Sequence, residues 1–242
     1  MGRCMQTKVN YSSLAHMYDQ LMGDAQGFED WMSFVQPFTY PNMKILDLAC
    51  GSGELSLRLS QQGFSVIGLD LSEAMLEVAK SKDSHHQIDF RLGDMRDFDL
   101  KTTVDMVICA VDSLHYLENI DQLHQTFTCV KRHLNDGGIF IFDLYKKSFA
   151  EGFAEAFEEE GVIDDLPYHW RIEYEQDQLI HTIALYNQSF PDIESHIQTL
   201  FSVDEVIRLC KRIGFEIDVF DGLSEKDQDE KYLCVARKEM ER

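Results

Sequence analysis

Two glycines, Gly51 and Gly53, stand between carboxylates at Asp47 and Asp70 in the stretch "ILDLACGSGELSLRLSQQGFSVIGLD". An apolar run that ends in a glycine turn and continues as a helix points N–H groups into a crevice. Glycine lets the chain turn tightly and lets a ligand approach the main chain. That geometry serves several nucleotides. The dinucleotide fingerprint wants a third Gly or Ala, and this chain has Ser56 there. Asp47, four residues before Gly51, suits a cation better than a pyrophosphate, and residues 45–57 hold no Lys or Arg to neutralise phosphate. Asp70 ends the second strand, where a carboxylate can accept bonds from ribose hydroxyls.

Two later stretches offer further chemistry. In "RLGDMRDF", Asp94 can accept a bond from an adenine amino group and Met95 can lie against the ring. In "CAVDSLHYL", Asp112, Ser113, His115 and Tyr116 follow the fourth strand. His115 is the group there that could take a proton near neutral pH. Tyr18 reaches a cofactor or a substrate from an N-terminal helix. Trp31 reads as core. His169 and Arg171 are either substrate readers or solvated strand charges. His85 and His86 lack a carboxylate or Cys partner at ligand spacing, so no metal is expected.

These residues need elements to hold them. Apolar strands at "KILDLA", "SVIGLD", "IDFRL", "DMVICAV" and "IFIFDL" alternate with helices over residues 54–62, 72–82 and 120–134. Continuous apolar strands, each followed by a helix, predict a parallel sheet covered on both faces. Ser72 is expected to cap the second of these helices. "NDGG" reads as a turn before the fifth strand. Residues 1–40 read as a helical lid, with a first helix through "LAHMYDQLMG" and a second over residues 28–38. The pattern breaks over residues 150–200. Residues 151–160 are acidic and helix-prone, and then "HWRIEYE", "LIHTIALYN" and "ESHIQTLF" alternate as antiparallel strands. This insertion covers an edge or mouth of the sheet, or pairs with a second copy in a homodimer. Ser202 and Glu205 form a capping box for a helix over residues 203–213 that Gly214 ends. Strands "EIDVF" and "YLCVAR" close the chain.

The bulk numbers bound the partners. The 242 residues carry a formal net charge of -21, which repels phosphate backbones and argues against nucleic acid. Six cysteines without a C-x-x-C pair suit free thiols in a reducing cytoplasm. Neither a signal peptide nor a membrane-spanning run is read in the chain.

Taken together, "ILDLACGSGELSLRL", "VIGLDLSEAML", "GDMRDF" and "GGIFIFDL" resemble the class I S-adenosylmethionine-dependent methyltransferases in order and spacing. "YSSLAHMYDQLM" resembles the lid of small-molecule members, and "GDMRDF" is similar to a branch that methylates amino sugars. The resemblance implies a Rossmann-like α/β fold. A mostly parallel seven-stranded sheet has helices on both faces, with residues 41–149 and 201–242 binding the cofactor. It places S-adenosylmethionine, and the product S-adenosylhomocysteine, against Tyr18, Asp47, Ala49, Gly51, Gly53, Asp70, Leu71, Asp94, Met95 and Ala110. His115, Tyr18 and Asp112 are the expected catalytic side chains, acting on a small-molecule acceptor. The chain departs from the family at Ala49, where Gly is commoner, and at Tyr116, where the amino-sugar branch carries His. A nicotinamide-dependent oxidoreductase and a non-catalytic module that senses the cofactor are the competing readings.

Overall fold

A computed structural model describes residue 15 and residues 18–21, 25–187 and 191–240. In chain order the first layer of elements is α1 (Tyr18–Leu21), α2 (Ala25–Val35), β1 (Lys44–Leu48), α3 (Glu54–Gln61), β2 (Ser65–Asp70), α4 (Glu73–Lys82) and β3 (Asp89–Leu92). Then come β4 (Val104–Cys109), α5 (Ile120–His133), β5 (Leu134–Tyr145) and α6 (Lys147–Ala150). A separate set of strands follows: β6 (Phe157–Ile163), β7 (Leu166–Glu175), β8 (Gln178–Tyr186) and β9 (Pro191–Thr199). Helix α7 (Val203–Ile213) and strands β10 (Phe215–Asp221) and β11 (Lys231–Lys238) complete the chain.

The seven-stranded sheet has the order β10-β11-β5-β4-β1-β2-β3. β11 runs antiparallel to both β5 and β10, and the remaining neighbours are parallel. The expected mostly parallel sheet with helices on both faces is the one found. Alternate residues of β1 enter different layers. Leu46 and Leu48 pack with Phe127, Phe140 and Phe142, while Ile45 packs with Trp31, Leu55 and Leu59. Trp31 is core, as expected. The strand order reverses between β1 and β4, and ligands of such sheets bind in the crevice beyond the carboxyl ends at that switch. Asp47, Asp70 and Asp112 all lie on or just after those ends.

Local chemistry explains most boundaries. Ser72 caps α4, its hydroxyl accepting the Met75 N–H. Asn119 caps α5 by accepting the N–H groups of Asp121 and Gln122. Gly214, at φ 93°, terminates α7 in the left-handed conformation that glycine tolerates. Four expectations need correction. Ser202 precedes α7 but its side chain makes no cap bond, so the capping box is not formed. The second helix runs Ala25–Val35 and gives way to a 3-10 turn at Gln36–Phe38, because Pro37 cannot continue the α-helical ladder. "NDGG" is not a turn outside the strand. It is a bulge within β5, where the pairing shifts between Val104 and Met106 and Gly137 takes φ 74°. Of the helix-prone residues 151–160, Glu151–Ala154 form a 3-10 turn, but Phe157–Ile163 form a strand rather than a helix. Phe157 pairs with Ile172 and Glu158 with Arg171 across β7, and cross-strand partners override the helix preference of glutamates.

The insertion is therefore a four-stranded antiparallel meander, β6-β7-β8-β9. Its face carrying Ile172 and Leu179 packs on Tyr145, Ala150, Phe153 and Leu200, which seats it over the end of β5. Cys109, Cys129, Cys210 and Cys234 are buried free thiols, and Cys50 is half-buried. No described helix is long and apolar enough to cross a membrane.

Candidate active site

The β1–α3 turn is built from left-handed residues. Ala49 (φ 61°), Gly51 (φ 52°) and Gly53 (φ 81°) reverse the chain within five residues. The two glycines do different work. A Cβ on Gly51 would meet nothing within 4 Å, so this glycine faces open space. A Cβ on Gly53 would lie 2.8 Å from the Ala79 Cβ, so this glycine lets α3 and α4 approach.

Asp70 braces the turn from the neighbouring strand. Its Oδ2 accepts the Gly51 N–H and its Oδ1 the Ser72 N–H, both at 2.8 Å. The carboxylate thus fixes both the glycine turn and the start of α4. Burial raises its pKa, while these N–H donors pull it back. Each oxygen keeps a second lone pair, which suits a diol. Leu71 beside it is 62% exposed, an apolar surface at the mouth of the crevice.

Asp47 sits beneath the turn, 2% exposed. The Ser56 hydroxyl donates to its Oδ2 at 2.5 Å. Burial pushes the Asp47 carboxyl up to about 7; the Ser56 bond opposes this and the Asp70 charge adds to it. The serine that spoils the dinucleotide fingerprint therefore has a local task, which is to hold Asp47. A carboxyl of this kind gains from a nearby cation. The donor set fits an ammonium-bearing nucleoside better than a phosphate.

Helix α1 meets the turn through Asp19. Asp19 on α1 accepts the Ser52 hydroxyl and pairs with Lys82 at the end of α4. Lys82 also reaches Glu54 at 2.9 Å, and Glu54 holds Arg58 at 2.5 Å. Gln20 Nε2 donates to Asp164 in the β6–β7 turn at 3.2 Å, which ties the lid to the antiparallel sheet. The Tyr18 backbone is helical, but its side chain lies outside the described residues. Asp19 carried a legible signal only as an acid one residue from Tyr18.

Asp94 is held in a local loop with Arg96, whose Nε lies 2.9 Å and Nη2 2.5 Å from its carboxylate oxygens. That pair lowers the Asp94 pKa, so it is an ionised acceptor. Met95 packs on the core beside it.

After β4 comes buried Ala110, then two consecutive left-handed residues, Val111 (φ 55°) and Asp112 (φ 61°). A β-branched residue in that region is strained. The turn is held from inside. The Asp112 N–H donates to Asp143 at 3.1 Å, and Lys231 Nζ reaches Asp112 at 2.9 Å and Asp143 at 3.3 Å. Burial and the Asp112 charge raise the Asp143 pKa, whereas Lys231 keeps Asp112 ionised.

His115, expected to take a proton from the acceptor, has both ring nitrogens against main chain. His115 is fully buried. Its Nδ1–H donates to the Thr199 carbonyl at 2.7 Å and its Nε2 accepts the Tyr145 N–H at 2.9 Å. The bare nitrogen is already occupied by main chain. Arg171 and His169 lie against Glu158, with Arg171 also bonded to Glu173, so these are surface pairs within the sheet. Among the described residues no cluster could hold a metal ion.

Residues 45–138 match the model of a methyltransferase domain. A putative methyltransferase, YqeM of Bacillus subtilis, is 35% identical over 218 residues, covering 86% of this chain and 87% of the relative. The dTDP-4-amino-2,3,4,6-tetradeoxy-D-glucose N,N-dimethyltransferase of Saccharopolyspora spinosa is 29% identical, covering 74% of this chain and 73% of that one. The crystal structure of an S-adenosylmethionine-dependent methyltransferase from Clostridium acetobutylicum superposes with a TM-score of 0.77. It is 24% identical and covers 95% of this chain and 99% of its own.

Proposed function

The chain belongs to the class I S-adenosylmethionine-dependent methyltransferase family, and from that premise we propose that it methylates a small molecule held between the β4 turn and the antiparallel sheet. The observation that carries the reading is the acid-lined glycine turn. Asp70 braces Gly51 at 2.8 Å and Asp47 lies buried beneath it without a basic partner among the described residues. When bound, S-adenosylmethionine supplies a methyl group already activated on a sulfonium.

In this reading Asp47 faces the ammonium, Ala49, Gly51 and Gly53 shape the turn around the amino-acid end, and Asp70 holds the ribose. Leu71, Ala110, Met95 and Asp94 enclose the adenine, and Tyr18 reaches the cofactor or the acceptor from the lid. Asp112 positions the floor of the acceptor site through its strained turn. His115 joins the sheet and the cap and moves no proton. A neutral amine acceptor needs no base, and alignment of nucleophile with methyl carries most of the rate. The relatives that act on amino sugars favour a small acceptor. The free thiols and acidic charge fit a cytoplasmic protein that does not bind nucleic acid. The antiparallel sheet is read as a cap rather than a homodimer surface, because one end of its apolar face, at Ile172 and Leu179, packs on Tyr145 and Phe153 of the same chain.

Calorimetric titration with S-adenosylmethionine, S-adenosylhomocysteine and NAD tests this, with Asp70→Ala as control. Micromolar binding of the first two, lost in the control, is expected. Binding of NAD alone would restore the oxidoreductase reading, which Ser56 and the absence of basic residues in 45–57 disfavour. Tight cofactor binding with no methyl transfer to any acceptor class would favour the sensing module.

A further inference from the structure

Strand β8 breaks its own pattern. Leu179, Ile183 and Leu185 are buried along the inner face of the cap, and His181 stands among them, 9% exposed. An apolar side chain would fill that position without a desolvation penalty. The histidine is flanked on the same face by Ile172 of β7, directly opposite, and by His196 of β9 on the other side. This face meets the β4 turn. His196 packs edge-on to the Tyr116 ring at 6.1 Å, and the charge of Asp112 is felt at His181.

The tautomer follows from one bond. His181 Nε2 lies 3.1 Å from the Gln198 Oε1, so Nε2 carries the proton and donates it. Nδ1 is then a bare lone pair. It is buried and has no hydrogen-bond partner among the described residues. Burial holds the ring neutral, with a pKa of about 4; the Gln198 bond opposes the shift and His196 adds to it. Beside it stands Trp170, its ring 5.9 Å away, whose Nε1–H is also buried without a partner. Leaving a polar group in this state costs about 1–3 kcal/mol for each group. One buried acceptor and one buried donor therefore lie side by side, on the face that meets the β4 turn.

Resting on the methyltransferase reading, we propose that His181 and Trp170 form the acceptor-recognition point. His181 Nδ1 takes a hydrogen bond from an uncharged hydroxyl or amine of the acceptor, and the Trp170 Nε1–H gives one back. The same pair discriminates against carboxylates and phosphates. A carboxylate has no hydrogen to offer Nδ1, and it would bury its charge beside a neutral imidazole. The roles are binding and positioning; neither side chain moves a proton.

The test uses the full chain with methyl-tritiated S-adenosylmethionine and three acceptor pools: sugars and phenols, primary and secondary amines, and carboxylic and phosphoric acids. Label is expected in one of the first two pools. With the responding compound as substrate, His181→Phe should raise KM about tenfold, or about 1.4 kcal/mol. S-adenosylhomocysteine affinity should stay as in the unaltered chain. Label only in the acid pool, no label in any pool while cofactor binding is intact, or an unchanged KM in His181→Phe would each overturn the proposal. Failure of the unaltered chain to bind S-adenosylhomocysteine would fall instead on the methyltransferase reading. Should His181→Phe not fold, ring-nitrogen NMR of the unaltered protein decides. An unprotonated Nδ1 that shifts when the responding compound is added supports the assignment, and a protonated or unmoved one refutes it.

Discussion

Lys231 Nζ stands 2.9 Å from the Asp112 carboxylate and 3.3 Å from that of Asp143, so one lysine at the start of β11 balances the charge of Asp112 while contacting a second buried acid beneath the β4 turn. Removing one partner of such a group leaves uncompensated buried charge, which typically costs 3–5 kcal/mol. Lys231→Met should therefore destabilise the fold by roughly 3–5 kcal/mol in denaturant titration. Lys231→Met combined with Asp143→Asn should recover part of that loss. A loss below about 1 kcal/mol would mean that water reaches the pair and screens it.

Asp47 links cofactor binding to pH. Burial pushes its folded-state pKa up to about 7, above the 3.8 of a free aspartate. Between those values the folded state binds more protons than the unfolded chain, so stability falls as pH rises from about 4 to about 7. Asp47→Asn should flatten that part of the stability curve without abolishing folding. An ammonium beside Asp47 favours the ionised carboxylate, so S-adenosylmethionine binding near pH 6 should release protons. Calorimetry in buffers of differing ionisation enthalpy measures this, and the release should vanish in Asp47→Asn. Equal proton release in the variant would move the linkage to another group.

Most of this architecture is written in short-range pattern. The apolar runs at 44–48, 65–70 and 104–109 read as strands because β1, β2 and β4 are buried on both faces. The glycine turn and Asp70 were legible because turn chemistry and strand ends are local. What escaped depended on partners far away in the chain. Residues 157–163 became a strand because of Arg171 and Ile172. His115 became a structural strap because of Thr199 and Tyr145, which lie 84 and 30 residues away. Asp19 joined the site through Lys82, 63 residues on. His181 left one local trace, a polar residue in an apolar alternation, but its meaning needed Gln198 and Trp170.

The lid should report on the same network. Asp19 pairs with Lys82 and accepts the Ser52 hydroxyl at the β1–α3 glycine turn. Lys82→Met removes that anchor while leaving Gly51 and Asp70 in place. A partly exposed pair is worth up to about 1 kcal/mol, so S-adenosylmethionine should bind about fivefold more weakly. Stopped-flow measurement should find the change in the dissociation rate. A slower association with unchanged dissociation would show that Lys82 steers the ligand rather than closing the lid.

Ala49 holds φ 61° where glycine is at ease. The left-handed region costs an L-residue roughly 1–2 kcal/mol, and glycine gives back about 0.4–1 kcal/mol through the unfolded chain. Ala49→Gly should therefore stabilise the protein by a few tenths to about 1 kcal/mol, seen as a higher melting temperature. A lower one would show that the Ala49 methyl, which packs on the core, outweighs the backbone strain.

His115 offers the sharpest contrast between a strap and a base. Its two nitrogens join the end of β9 to the end of β5, through Thr199 and Tyr145. His115→Leu leaves a buried carbonyl and a buried N–H unpaired, at about 1–3 kcal/mol each. The variant should lose roughly 2–5 kcal/mol of stability. His115→Asn, which can still donate and accept, should lose less. The folded pKa lies below 6.5 because burial disfavours the charged ring. Stability from this group is therefore present above about pH 6.5 and declines as pH falls below it. Denaturation at pH 8 and pH 5.5 should show a smaller gap in His115→Leu than in the unaltered chain. At temperatures where the variant stays folded, kcat should hold within a few-fold and keep its pH profile. A collapse of kcat by orders of magnitude with stability intact would make His115 the base after all.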